Sequence, residues 1–308
     1  MASTKSKGLI AIVFLIFIFF ILFVLFGVFT FKSFKDKTDS DLVFDTKDAP
    51  IGVVEVNGVI MKSKDIVDQL HGAEKDKEIK AIILRINSPG GAVGPTQEIY
   101  EEILRIDKDK PVYSSMGSIA ASGGYYVAAA TRKIFANAGT LTGSIGVIMQ
   151  FMDMSKLYEW AKVSPETIKA GRYKDVGSPS RAMTMEEREL LNAMISKVHD
   201  QFKRDIGNIR KKKIVGDLND HAQGQIFSGE EALERGLVDE LAGLWEAGRR
   251  IHKDLEIKED FKLKFFKKKK KMKFFDMLSD IEETTSHIKE VVGRTGMTPL
   301  FLYEGSSK

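Results

Sequence analysis

The chain has 308 residues, 43% of them hydrophobic, with 47 Lys and Arg against 43 Asp and Glu for a formal net charge of +4. That is enough apolar material for one large domain or two small ones, and too little positive charge to call for a nucleic-acid partner. The absence of cysteine excludes disulfides, thiolate zinc sites and a cysteine nucleophile, and fits an exported domain that avoids stray disulfide chemistry.

After a short tail (1–8), residues 9–29 read LIAIVFLIFIFFILFVLFGVF, 21 positions without a charge. At about 1.5 Å per residue such a helix spans a hydrocarbon core of about 30 Å. A cleavable signal peptide would have a shorter apolar stretch, about 7–15 residues, followed by a small-x-small site. TFKSFK follows here, so the segment reads as an uncleaved transmembrane anchor. Lys5 and Lys7 precede it and Lys32, Lys35 and Lys37 follow it, so lysine counts leave the orientation open. Residues 30–50 read as a linker, polar and acidic near its end, which stops at Pro50.

A folded domain is expected over 51–250. It opens on a β-branched run, IGVVEVNGVI (51–60), then a polar helical pattern (64–77) and a second buried strand, KAIILRIN (80–87). After the turn SPGG come a helix from Pro95 to Ile106, a third strand, PVYSSMG (111–117), and a helix starting near Ser122. Strands alternating with helices predict an α/β domain with largely parallel pairing.

Two glycine turns follow predicted strands, where α/β folds place their sites. In NSPGG (87–91), paired glycines let bare backbone approach a ligand, so the Gly91 N–H is a candidate anion donor; the alternative is a plain strand-to-helix turn. In AASGG (120–124), Ser122 stands at a predicted helix start, where free N–H groups stabilise developing negative charge. The Gly123 N–H would be the second donor of an oxyanion hole.

A serine nucleophile needs a base. His71, His199, His221, His252 and His287 each stand alone in polar or helical context and read as exposed or capping residues. A GxSxG elbow is missing, since Ala120 occupies the place of its first glycine. Among the lysines, Lys174 lies in an unusual Gly- and Ser-rich stretch, IKAGRYKDVGSPSRAMT (168–184). A lysine is a base only when neutral, which burial away from carboxylates favours. Asp175 would oppose this and is expected to face away. Spacing alone does not single Lys174 out.

NSPGG, SIAASGGYY, TLTGSIGV (140–147), AGRYKDVGSP and FSGEEALERGLVDELAG (227–243), in this order, resemble the signal peptide peptidase A family of membrane-anchored serine proteases. The resemblance covers about 50–245 and implies a ClpP- or crotonase-like α/β fold, a Ser/Lys dyad and no metal or organic cofactor. Position by position it implies Ser122 as nucleophile, Lys174 as general base, Ser144 as support for that lysine, and Gly91 and Gly123 as oxyanion donors. It further implies apolar remnant signal peptides as substrates, bound extended, and a catalytic domain on the extracytoplasmic side. A chain of this length resembles the short, single-domain members, which implies a homo-oligomer whose sites take the serine and the lysine from adjacent protomers. A crotonase-type acyl-CoA enzyme, which would need neither Lys174 nor an anchor, and a catalytically silent membrane scaffold are the other readings.

The remainder, 251–308, is a basic extension and tail. KLKFFKKKKKMK (262–273) holds eight lysines and two phenylalanines, a pattern for an anionic membrane surface or equally for a solvated loop ending a last strand. The tail TPLFLYEGSSK is apolar in its middle.

Overall fold

The computed structural model describes residues 49–266 and 300–302, together with Phe26. The chain divides into two units, Met1–Lys47 and Asp48–Lys308; in the first, Phe26 is helical and exposed. Apart from that residue, the expected anchor 9–29 lies outside the described residues, as do the tail 1–8, most of the linker and most of the extension beyond 266. Among the described residues no helix is long and apolar enough to cross a membrane.

In the second unit the apolar runs become strands for a simple reason: they are covered on both faces, as central parallel strands are. β1 (Ile51–Asn57) pairs in parallel with β2 (Ala81–Ser88), Ile51 opposite Ala81 and Asn57 opposite Asn87. β4 (Val112–Ala121) continues the sheet beside β2. On the other side of β1, β9 (Leu263–Phe266) adds a parallel edge strand, drawn from the expected basic extension. Two short strands share β4: β5 (Ile134–Ala136) pairs near its start and carries β8 (Glu240–Leu241), and β6 (Leu141–Gly143) pairs with its last residues. β7 (Ile226–Ser228) closes that side antiparallel to β6.

Alternation along the strands divides the core. Val54, Val56, Ile82, Leu84 and Ile86 face a cluster that includes Leu70 of α1 (Lys64–Lys75), Ile99 and Ile103 of α2 (Val93–Ile106), Tyr125 and Tyr126 of α3 (Gly123–Ala129), and Phe202 and Ile206 of α5 (Met185–Arg210). Ile51, Val53, Ala81 and Ile83 face the opposite cluster, with Ala247 and Ile251 of α8 (Leu244–Asp254). Between β6 and α5 the chain makes a long arm whose one helix is the short α4 (Ser155–Trp160).

Caps are written into the sequence. Thr184 and Glu187 exchange hydrogen bonds at the start of α5, and Ser228 and Glu231 do the same at the start of α7 (Gly229–Glu234). This is the reciprocal Ser/Thr-x-x-Glu box, so FSGEE, part of the family resemblance, serves architecture. Gly229 has no room for a side chain: a Cβ there would lie 2.0 Å from the Asn137 carbonyl.

Candidate active site

Ser122 ends β4 and caps α3 with φ 52° and ψ −115°. A left-handed φ on a non-glycine residue costs about 1–3 kcal/mol and persists only where the surroundings fix it. Its N–H donates to Gly143 O at 2.8 Å, and its carbonyl accepts from Tyr126 N at 2.9 Å. The side chain is 1% exposed, and Oγ is buried with no hydrogen-bond partner among the described residues. A buried hydroxyl left unpaired costs about 1–3 kcal/mol, so the serine is held ready at the expense of stability.

The two glycine turns meet here. β2 and β4 pair Ser88 with Ala120, and a Cβ on Gly124 would lie 2.7 Å from Ser88 O, so only glycine lets α3 seat against the end of β2. In NSPGG, Gly90 has φ 111°, and its N–H donates to Ser88 Oγ at 3.1 Å. Ile60 N donates to Gly90 O and Ala92 N donates to Ile60 O, both at 2.8 Å. Backbone groups alternate sides along an extended strand, so the N–H and C=O of Gly91 point away from Ile60, toward the other edge of β3 (Gly90–Ala92). That edge is paired antiparallel with β10 (Leu300–Leu302), Phe301 opposite Gly91. Gly123 is the first residue of α3, so its N–H has no intrahelical acceptor.

β6 delivers Ser144. Thr140 Oγ1 donates to Gly117 O and Thr142 Oγ1 to Ala120 O, each at 2.7 Å, stitching the TLTGS stretch to β4. Gly143, φ 78°, lies opposite Ala121, and Ser144 follows with φ 50° and its N–H on Gln225 O at 2.6 Å. Ser144 is buried.

Lys174 departs from expectation. It is exposed rather than buried, on a turn that it closes by donating its N–H to Gly171 O at 3.2 Å, and within this chain its ammonium makes no hydrogen bond or ion pair among the described residues. Asp175, expected to face away from a buried lysine, is instead the more covered of the two: its carboxylate, 12% exposed, is held by Lys169 and by Arg181 Nε at 3.0 Å. The Arg181 hydrogen bond, then that of Lys169, keeps Asp175 far below the usual carboxylate range. Arg181 also grips Glu187 in the first turn of α5, so the lysine loop is tied to that helix. One chain brings together Ser122, Ser144 and both glycine turns, and leaves Lys174 on the surface of the arm, where Trp160 and Ile168 are 81% and 95% exposed.

No described histidine reaches Ser122. His71 Nε2 pairs with Glu102 at 2.7 Å, His221 with Val215 O at 2.8 Å and His252 with Glu259 O at 2.6 Å; His199 Nε2 is buried with no partner among the described residues, and His287 lies outside them. His71, Glu74 and Glu102 cluster within 4.8 Å, but Arg105 binds both carboxylates and supplies the positive charge a cation would bring. Sequence reasoning overlooked Arg210, which is fully buried and forked onto Asp239; nothing in the local pattern of KRDIGNIRKKK distinguishes that arginine from its solvated neighbours.

Comparison with known proteins is consistent with this geometry. Residues 105–258 match the family model for peptidase family S49, and residues 53–145 the model for Clp protease, in accord with the mixed, mainly parallel sheet. A Synechocystis sp. protein named as a protease is 40% identical over 193 residues, 62% of this chain and 69% of that one. An Enterococcus faecium protein named as signal peptide peptidase SppA is 36% identical over 179 residues (58% and 52%), and the chloroplastic serine protease SPPA of Arabidopsis thaliana is 35% identical over 197 residues (64% and 29%). The chain thus spans about half of the second relative and less than a third of the last.

Proposed function

Because the chain belongs to peptidase family S49 and is a serine protease, we propose that it is a membrane-bound endopeptidase with Ser122 as nucleophile and Lys174 of a neighbouring protomer as general base. Membership of a protease family removes the acyl-CoA and scaffold readings. The observation that carries the proposal is Ser122 itself: a strained, buried serine with an unpaired Oγ among the described residues, set between two glycine turns.

The chemistry uses these parts. Neutral Lys174 takes the hydroxyl proton as Oγ attacks a peptide carbonyl, and the N–H groups of Gly91 and Gly123 receive the oxyanion. The lysinium then protonates the leaving amine, and water hydrolyses the acyl-enzyme. Ser144, one residue beyond the carbonyl that holds Ser122 N–H, takes the role of orienting the incoming lysine. The β3 edge that accepts β10 supports extended peptides bound by strand addition at Gly91.

Three features support the wider reading. The unpaired Lys174 lies on an arm with exposed Trp160 and Ile168, the kind of surface a second copy buries. The apolar segment 9–29 supports a single-pass anchor, and the family resemblance supports an extracytoplasmic catalytic domain. The Enterococcus relative's name supports remnant signal peptides as substrates.

The test is complementation. Ser122→Ala and Lys174→Ala chains, tagged differently and co-expressed, restore a complete site wherever an intact serine meets an intact lysine. With random mixing in a closed head-to-tail ring that is one half times one half, roughly a quarter of the interfaces. Peptide cleavage near that fraction of wild type supports a shared site; silence, with mixing confirmed by both tags, refutes it.

A further inference from the structure

The left-handed backbone of Ser122 needs support from beyond its own hydrogen bonds, and the two residues after Gly123 and Gly124 are built to supply it. Tyr125 and Tyr126 leave the first turn of α3 in different directions, and both rings are buried. Phenylalanine would fill the same volume without a phenol to desolvate, so each hydroxyl must justify its burial by what it binds.

Tyr125 donates to Leu237 O at 3.0 Å. Burial pushes its phenol up to about 12, which keeps it a protonated donor. The turn carrying Leu237 is clamped by Arg210: Nη2 donates to Gly236 O at 2.8 Å, while Nη1 and Nη2 reach the Asp239 carboxylate at 3.0 and 3.2 Å. Asp239 also accepts Ile134 N at 2.7 Å, at the start of β5. Arg210 Nε is buried with no hydrogen-bond partner among the described residues. A buried ion pair with an unsatisfied donor is weak as a source of stability, which favours a positional role.

Tyr126 is held from the other side. Its hydroxyl donates to Asp205 Oδ2 of α5 at 2.5 Å, and its ring lies 4.6 Å from Tyr100 and 4.9 Å from Phe202. Its own N–H is the group that donates to Ser122 O.

We propose that Tyr125 and Tyr126 are positioning residues that hold the Ser122 nucleophile in its reactive conformation, and that the buried Arg210–Asp239 pair acts through Tyr125 by fixing the turn that receives its hydroxyl. The role rests on the reading of Ser122 as nucleophile.

The test uses the full-length chain with Tyr125→Phe, Tyr126→Phe, Arg210→Met and the Tyr125→Phe/Arg210→Met double. A fluorophosphonate reports the labelling rate of Ser122, and hydrogen exchange over 118–127 reports its conformation independently of chemistry. Each phenylalanine variant should label about tenfold more slowly, the effect of a nucleophile displaced by a fraction of an ångström, with faster exchange at Ser122 and Tyr126 and an unchanged KM for peptide. The double variant should lose no more than Arg210→Met alone, since the two act in series. If Arg210→Met fails to fold, the phenylalanine variants carry the test alone. Labelling and exchange that match wild type, or losses that multiply in the double, overturn the positioning role. Wild-type protein that is not labelled at all removes the nucleophile, and the role with it.

Discussion

Gly124→Ala is the sharpest perturbation of the gap between nucleophile and oxyanion turn. The added Cβ would lie 2.7 Å from Ser88 O, against 3.4 Å where ordinary contact begins, so α3 and the end of β2 must part by the difference, 0.7 Å. The obstacle is backbone on both sides and cannot rotate away. Overpacking of this kind costs about 1–3 kcal/mol, offset by the about 0.5–1 kcal/mol that alanine contributes over glycine in a helix. For a domain of this size the remainder lowers Tm by about 1–8 °C. Activity should suffer more. Misplacement by about 1 Å costs about a hundredfold in rate, so a smaller shift should slow labelling of Ser122 and peptide cleavage by a factor between ten and a hundred. Thermal unfolding and fluorophosphonate labelling measure the two effects separately. Gly139→Ala, where a Cβ meets nothing within 4 Å, is the control and should match wild type. If Gly124→Ala labels at the wild-type rate with an unchanged Tm, close packing of α3 on Ser88 does not set the site.

Ser122→Ala and Lys174→Ala should each abolish peptide cleavage, Lys174→Ala with Tm unchanged within error and Ser122→Ala with Tm raised by a few degrees, since it removes the unpaired buried hydroxyl, and Ser144→Ala should retain a measurable fraction, since it orients without bond chemistry; near-normal cleavage by Lys174→Ala would end the dyad assignment. Trp160→Glu should shift the sedimentation profile toward monomer and reduce cleavage in parallel, because burying a tryptophan in an interface is worth about 2–3 kcal/mol; an unchanged profile would separate the arm from assembly. Burial alone would raise Asp239, but the Arg210 hydrogen bond and charge, the Ile134 N–H and Lys213 outweigh it and hold the carboxyl below its usual range. A depressed folded value means that this stabilisation is complete above the unfolded value of about 3.9 and is lost as pH falls through the folded one. Urea unfolding of Asp239→Asn should therefore be less stable at neutral pH and lose less between about pH 4 and pH 2 than wild type; parallel pH profiles would show that the pair is not linked to folding.

Local pattern was enough for much of this molecule. IGVVEVN and AIILRINS are apolar at consecutive positions, which only a strand covered on both faces requires, and they became β1 and β2 in parallel register. Paired glycines in NSPGG read as bare backbone open to a ligand; the structure adds that Gly91 and Gly124 sit where a Cβ would collide with Ile60 and Ser88 backbone. The Thr184 and Ser228 caps were equally local, because a capping box needs only residues three apart. What the sequence could not determine depends on partners distant in the chain. The φ of Ser122 is fixed by a carbonyl of β6 and by helices that return later, and Arg210 meets Asp239 29 positions away. β10 reaches β3 from the far end of the chain. Lys174 is the clearest case: the base role implied by the resemblance calls for a buried lysine, but burial belongs to the assembled surroundings and not to the segment, and within one chain Lys174 is exposed on the arm. Periodicity encodes which face of an element is covered, whereas the groups that meet across that face are chosen by long-range packing and, at this site, by whichever chain covers the arm.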